Sequence, residues 1–175
     1  MSRRPDFEAL VLPHLDAAYN LARWLLRDEA AAQDAVQEAS MRALRYFERL
    51  RGDDARPWLL GIVRNTCYTQ LERRRHAADE IDFDSAEFEA HAAARDAGAG
   101  PEALLSRERT RRQVDAAIRA LAPALREVVV LREFEDLDVA TIARIVDAPV
   151  GTVMSRLARA RERLRAALAA TLIGE

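Results

Sequence analysis

A chain of 175 residues has room for one ordinary domain or two small ones. Half of it is hydrophobic and about a third is charged, a globular composition that excludes global disorder. No apolar run reaches the roughly 18 residues of a membrane span, and Arg3, Arg4, Asp6 and Glu8 interrupt any signal core at the N-terminus, so no membrane insertion and a cytoplasmic location are expected.

The N-terminal part is read as three amphipathic helices. Phe7, Leu10, Val11, Ala18, Leu21, Ala22 and Leu25 recur at helical spacing in the first, and Val36, Ala39, Ala43, Phe47 and Leu50 in the second. The second is acidic over residues 28–41, where Asp28, Glu29, Asp34 and Glu38 occur without a base. Arg51, Gly52, Asp53 and Asp54 break the pattern. A third helix then starts near Pro57, a favourable first-turn residue. It carries Leu59, Val63, Cys67 and Leu71 on one side and closes on Arg73, Arg74 and Arg75. Cys67 is the single cysteine, which excludes an intramolecular disulfide and leaves a buried small hydrophobe or a reactive thiol. His14, His76 and His91 have no partners at ligand spacing, so neither a metal nor a cofactor is expected.

From Ala77 to Pro101 the periodicity fails, and residues 77–106 are read as a linker. Asp79, Glu80, Asp82, Asp84, Glu87 and Glu89 come without a base and are followed by a Gly98-Ala99-Gly100-Pro101 tract, the composition of a flexible acidic linker. Ile81, Phe83 and Phe88 within it fit either a docking segment or a loosely packed short helix. Helical spacing resumes with Val114, Ala117, Ile118 and Leu121, and Pro123 opens a further helix with Leu125, Val128, Val129 and Leu131. Val128, Val129 and Val130 look strand-like alone but sit within the helical period. Two more helices are expected, at about residues 138–146 and 150–172. The expected fold is all-α: helical domains over residues 5–76 and 107–172, joined by the linker. Bodies of that size lie near the lower limit for independent folding, so stabilisation by a partner is expected.

The last two helices have the form of a helix-turn-helix. Thr141, Ile142, Ala143, Ile145 and Val146 give the first helix its core face, and Asp147, Ala148 and Pro149 make the turn. Asp147 tolerates the left-handed backbone that glycine usually supplies there. Val153, Leu157, Ala160 and Leu164 form the buried stripe of the second helix. At about 100° per residue, Thr152, Ser155 and Arg159 point away from that stripe. Arg156 and Arg163 flank it on one side, Arg161 and Arg165 on the other. Such a helix can present its polar face to base edges while the flanking arginines hold phosphates. Gly151 lets the backbone approach closely. All 27 basic residues are arginine, which reflects genome composition but also suits forked contacts to phosphate and guanine. A solvated basic helix is the competing interpretation.

Residues 138–164, with the run Val150-Gly-Thr-Val-Met-Ser-Arg-Leu-Ala-Arg-Ala-Arg161, resemble region four of bacterial sigma factors of the extracytoplasmic-function group. The N-terminal part resembles region two of the same group. Gln33-Asp-Ala-Val-Gln-Glu38 is similar to its polymerase-binding helix. Arg56, Pro57, Trp58 and Leu59, with Ile62, Arg64, Asn65 and the closing arginines, are similar to its promoter-melting and minus-10-reading segment.

The resemblance implies a non-catalytic subunit that binds core RNA polymerase and selects promoter DNA. Its C-terminal domain would read the minus-35 element through Thr152, Ser155, Arg156, Arg159 and Arg161. Its N-terminal domain would melt and hold the minus-10 element through Arg56, Trp58, Arg64, Asn65, Arg73 and Arg74, and meet the polymerase through Asp34, Gln37 and Glu38. Residues 50–56 beside Trp58 offer a place for an extruded base, with the arginines as a rail for the single strand. For Trp58 core packing competes with base stacking, and for the acidic helix an ordinary solvated face competes with docking. An anti-sigma partner is implied as well, and the acidic linker would lie in a positively charged polymerase channel. Met154 departs from the family's basic residue, Thr141 from its Glu, and Thr69 and Glu72 from a common Asp and Arg. Two other functions are open: a stand-alone helix-turn-helix regulator that binds DNA without polymerase, and a sigma mimic that captures the inhibitor.

Overall fold

The computed structural model describes residues 3–52, 54–80 and 101–173. Among these residues every regular element is helical, as the periodicity predicts. The apolar spacing of the first predicted helix is continuous, yet the chain forms two helices there, α1 (Arg3–Val11) and α2 (Leu15–Leu26). A 3₁₀ turn at Leu12–His14 separates them. Pro13 is the cause: it has no N–H for the ladder and its ring crowds the preceding carbonyls. Arg27 ends α2 in the left-handed conformation, with φ of 59°.

Asp28 then caps α3 (Glu29–Arg45), its carboxylate accepting the Ala31 amide at 2.8 Å. The buried face of α3 is alanine throughout, at Ala31, Ala32, Ala35, Ala39 and Ala43. Small side chains let its backbone settle close against α2 and against α4 (Ala55–Glu80). Helix α4 begins just before Pro57 and runs through the arginine triplet to Glu80, so residues 77–80 are helical. Helix α5 (Pro101–Ala120) likewise claims residues 101–106. Residues 81–100, with Ile81, Phe83 and Phe88, lie outside the described residues.

Pro123 opens α6 (Pro123–Val129), which widens into one π turn at Val130–Phe134, where the Glu135 amide reaches back to the Val130 carbonyl at 3.1 Å. The valine run is therefore helical, and it is buried on all sides. Helices α7 (Val139–Val146) and α8 (Val150–Ile173) complete the chain.

The two ends of the chain share a core. Leu21, Leu25, Leu59, Leu60 and Val63 from α2 and α4 belong to the same apolar cluster as Val128, Leu131, Ile142 and Val153. Helices α2 and α4 pack directly on α6, the π turn and α7. Each half is too small to bury all its apolar surface alone, and here each covers the other. A smaller cluster of Leu121, Leu125, Val129 and Ala160 joins α6 to α8. Cys67 is fully buried, and burial pushes its thiol up to about 12, which makes it a small hydrophobe and not a reactive group.

Candidate nucleic-acid interface

The α7–α8 pair has the helix-turn-helix geometry that its residues predict. Asp138 caps α7, accepting the Thr141 amide at 2.8 Å and the Thr141 hydroxyl at 3.0 Å. These bonds hold the Asp138 carboxyl below the usual aspartate range. Thr141, a departure from the family pattern, is thus a buried partner of the cap. Asp147 adopts the left-handed conformation at φ 51° and ψ 55° and turns the chain in three residues. The Pro149 carbonyl accepts the Thr152 and Val153 amides and starts α8.

On α8, Val153, Leu157 and Ala160 are buried and Leu164 is partly so. Ser155, Arg159 and Arg161 are exposed, while Thr152 and Arg156 are half-buried. The Ser155 hydroxyl donates to the Thr152 carbonyl of its own helix at 3.0 Å. Arg156 leans toward the Glu127 carboxylate at 3.8 Å, and Arg161 bonds Glu133 at 3.0 Å. A Cβ at Gly151 would meet nothing within 4 Å, so no protein neighbour requires glycine there.

Helix α4 presents its predicted residues less uniformly. Arg56 donates to the Glu135 backbone oxygen at 2.8 Å and to its carboxylate at 2.9 Å. Arg64 makes a two-pronged pair with Glu127, at 2.7 and 3.1 Å, and its guanidinium lies 4.4 Å over the Tyr68 ring. Burial opposes the Arg64 charge, but the bonds to Glu127 outweigh it and raise its pKa. Both arginines therefore bond to the C-terminal half, and Arg64 also lines a cleft beside the exposed Asn65. Asn65, Arg73 and Arg74 are exposed, with Arg74 3.9 Å from Asp28. Trp58 is half-buried against the shared core. It also lines a cleft with Arg49, Arg51, Asn65 and Arg144, whose walls come from both halves. On α3, Asp34 and Gln37 are exposed and Glu38 is bonded to Arg42 at 2.5 Å. Beside them runs an apolar groove of Phe7, Leu15, Tyr19, Val36, Met41 and Leu44, which the acidic pattern concealed.

Three charged residues that motif spacing does not single out organise this arrangement: Arg126, Glu127 and Glu135, all buried. Arg126 donates to the Trp24 carbonyl at 2.7 Å and the Leu121 carbonyl at 2.8 Å, closing the C-terminal end of α2, where a cation is favoured. Burial, then the Arg27 and Arg119 charges, lower its pKa to about 10, which leaves it cationic at neutral pH. Asn20 donates to Glu135 at 2.7 Å. The available signal was an Arg-Glu pair inside the apolar run of residues 125–131.

Comparison with known proteins agrees with the geometry. Residues 10–77 match the family described as Sigma-70 region 2, and residues 111–164 that described as Sigma-70, region 4. The RNA polymerase sigma-H factor of Pseudomonas aeruginosa is 37% identical over 166 residues, 93% of this chain and 86% of the relative. The ECF RNA polymerase sigma-E factor of Escherichia coli is 41% identical over 133 residues, 74% of this chain and 69% of the relative. Among solved structures, the sigma factor RpoE of Bartonella quintana, in complex with the anti-sigma factor NepR, superposes with a TM-score of 0.78 at 26% identity, over 93% of this chain and 96% of that one. CnrH in complex with the cytosolic domain of CnrY gives 0.64 at 25% identity, over 94% and 88%.

Proposed function

The chain belongs to the extracytoplasmic-function sigma factors of bacterial RNA polymerase, and we propose that it divides promoter recognition between α4 and the α7–α8 unit. As a member of that family it directs the polymerase to promoters and performs no catalysis of its own. The observation that carries the residue-level reading is the register of α8: a buried Val153-Leu157-Ala160 stripe, with arginines on both flanks of an outward polar face.

Residues 107–172 form the body that reads the minus-35 duplex. Thr152, Ser155 and Arg159 face the base edges, and Arg156 and Arg161 hold phosphates on either side. Residues 5–76 form the body that melts and holds the minus-10 element. Asn65, Arg73 and Arg74 are exposed along the outer length of α4, and Arg56 and Arg64 join them by exchanging Glu135 and Glu127 for the single strand. Trp58 borders the arginine-lined cleft and supports an extruded base from its edge. Asp34, Gln37 and Glu38, together with the apolar groove beside Gln37, meet the polymerase core. Residues 77–106 span the two bodies, with helix at both ends. A cytoplasmic location follows from work on polymerase, and no helix among the described residues is long and apolar enough to cross a membrane. An anti-sigma partner is part of this reading, supported by likeness to the sigma factor RpoE, solved in complex with the anti-sigma factor NepR.

Reconstitution with core polymerase tests these assignments. The wild-type chain is expected to give promoter-dependent RNA from a genomic pool, and Asp34→Arg to weaken assembly with the fold intact. Strong binding of duplex by the chain alone, with no transcript from any promoter, would favour a stand-alone regulator.

A further inference from the structure

Several polar side chains on the first turns of α8 lean back on the protein. The Ser155 hydroxyl is turned back to its own helix, Arg156 leans on Glu127, and Arg161 is bonded to Glu133. Beside the polar face these turns also present an apolar strip. Val150, Met154 and Ala158 follow one another at four-residue spacing and form a strip along one flank of the helix. Val150 is 46% exposed and Met154 59% exposed, the latter among the most exposed large hydrophobic residues described. Gly151, one turn before Ser155, leaves open space beside the strip.

An uncovered apolar strip on a helix points to an occupant. Its surroundings select which: Arg159, Arg163 and Arg165 are exposed on the same helix, and that density of cations suits a polyanion far better than an apolar protein face. Duplex DNA offers one apolar group in its major groove, the C5 methyl of thymine. Methionine, unbranched and polarisable, can settle over a methyl at more than one helix tilt. We propose that Met154, with Val150 beside it, reads thymine methyl groups in the upstream promoter element, so that this protein determines part of its promoter preference by apolar contact. The inference rests on α8 lying in the major groove of that element.

Holoenzyme reconstituted from this chain and core polymerase tests it, on synthetic duplexes copied from promoters recovered from a genomic pool. Each thymine of the upstream element is replaced in turn by deoxyuridine, which removes the methyl and nothing else. At one or two positions uracil is expected to lower wild-type transcription about fourfold, the worth of one buried methyl. Met154→Ala is expected to transcribe thymine and uracil templates equally, and Met154→Leu to keep the discrimination. Uracil without effect at every position, on templates whose scrambled upstream element is inactive, would overturn the inference while leaving upstream reading intact. Undiminished discrimination in Met154→Ala would also overturn it. A scrambled element that transcribes normally would overturn upstream reading itself, and the inference with it.

Discussion

At Glu127 a carboxylate without solvent contact faces Arg64 at 2.7 Å and Arg156 at 3.8 Å. Burial raises its pKa, and the bonds from Arg64 counter that rise only in part. An acid that holds its proton more tightly when folded contributes stability as pH falls, and loses it as pH rises through the folded value. Removing the carboxylate is a different matter, since it strands a buried guanidinium. Glu127→Ala is expected to cost about 3–5 kcal/mol in urea unfolding. Glu127→Gln keeps one acceptor for Arg64 and should cost less. The double replacement Arg64→Met with Glu127→Leu should recover most of the loss, because apolar packing replaces an ion pair that was expensive to desolvate.

Element boundaries are set by single side chains. Pro13 divides α1 from α2, Asp28 starts α3, and Asp138 and Asp147 bracket α7. Asp28→Ala should lower stability by about 1 kcal/mol, read from the shift of the thermal midpoint. For Asp138 the informative variable is pH. Its folded pKa lies below the usual aspartate range, so the cap's contribution is complete above that range and is lost as pH falls through the folded value. Protection of the Thr141 and Ile142 amides, measured against their intrinsic exchange rates, should fall over that acid window in the wild type. In Asp138→Asn, which cannot titrate, that fall should be absent.

At the scale of the molecule the two halves are closed on each other through a shared apolar core, with Arg56 and Arg64 bonded across the junction. Releasing both arginines from Glu135 and Glu127 for a single strand requires the junction to open. With cysteines introduced at Arg75 and Arg165, both exposed, dye labelling should spare the buried native thiol, whose pKa lies near 12. Energy transfer between the two dyes is expected to report one short separation in the free protein and a longer one after core polymerase and promoter are added. An unchanged separation would overturn the exchange of Glu135 and Glu127 for the single strand.

The helical class, the register of α8, the turn at Asp147 and the helical state of the valine run were legible because each depends on neighbours within a few residues: periodicity, capping and backbone preference act locally. Pro13 was equally local, but the continuous apolar spacing on either side of it hid the break. Tertiary structure alone decided that Arg64 meets Glu127, that Arg126 closes α2 more than a hundred residues away, and that two marginal bodies share one core. A buried charge can be recognised from spacing as unusual, but its partner is chosen by packing across the chain, where sequence distance carries no information.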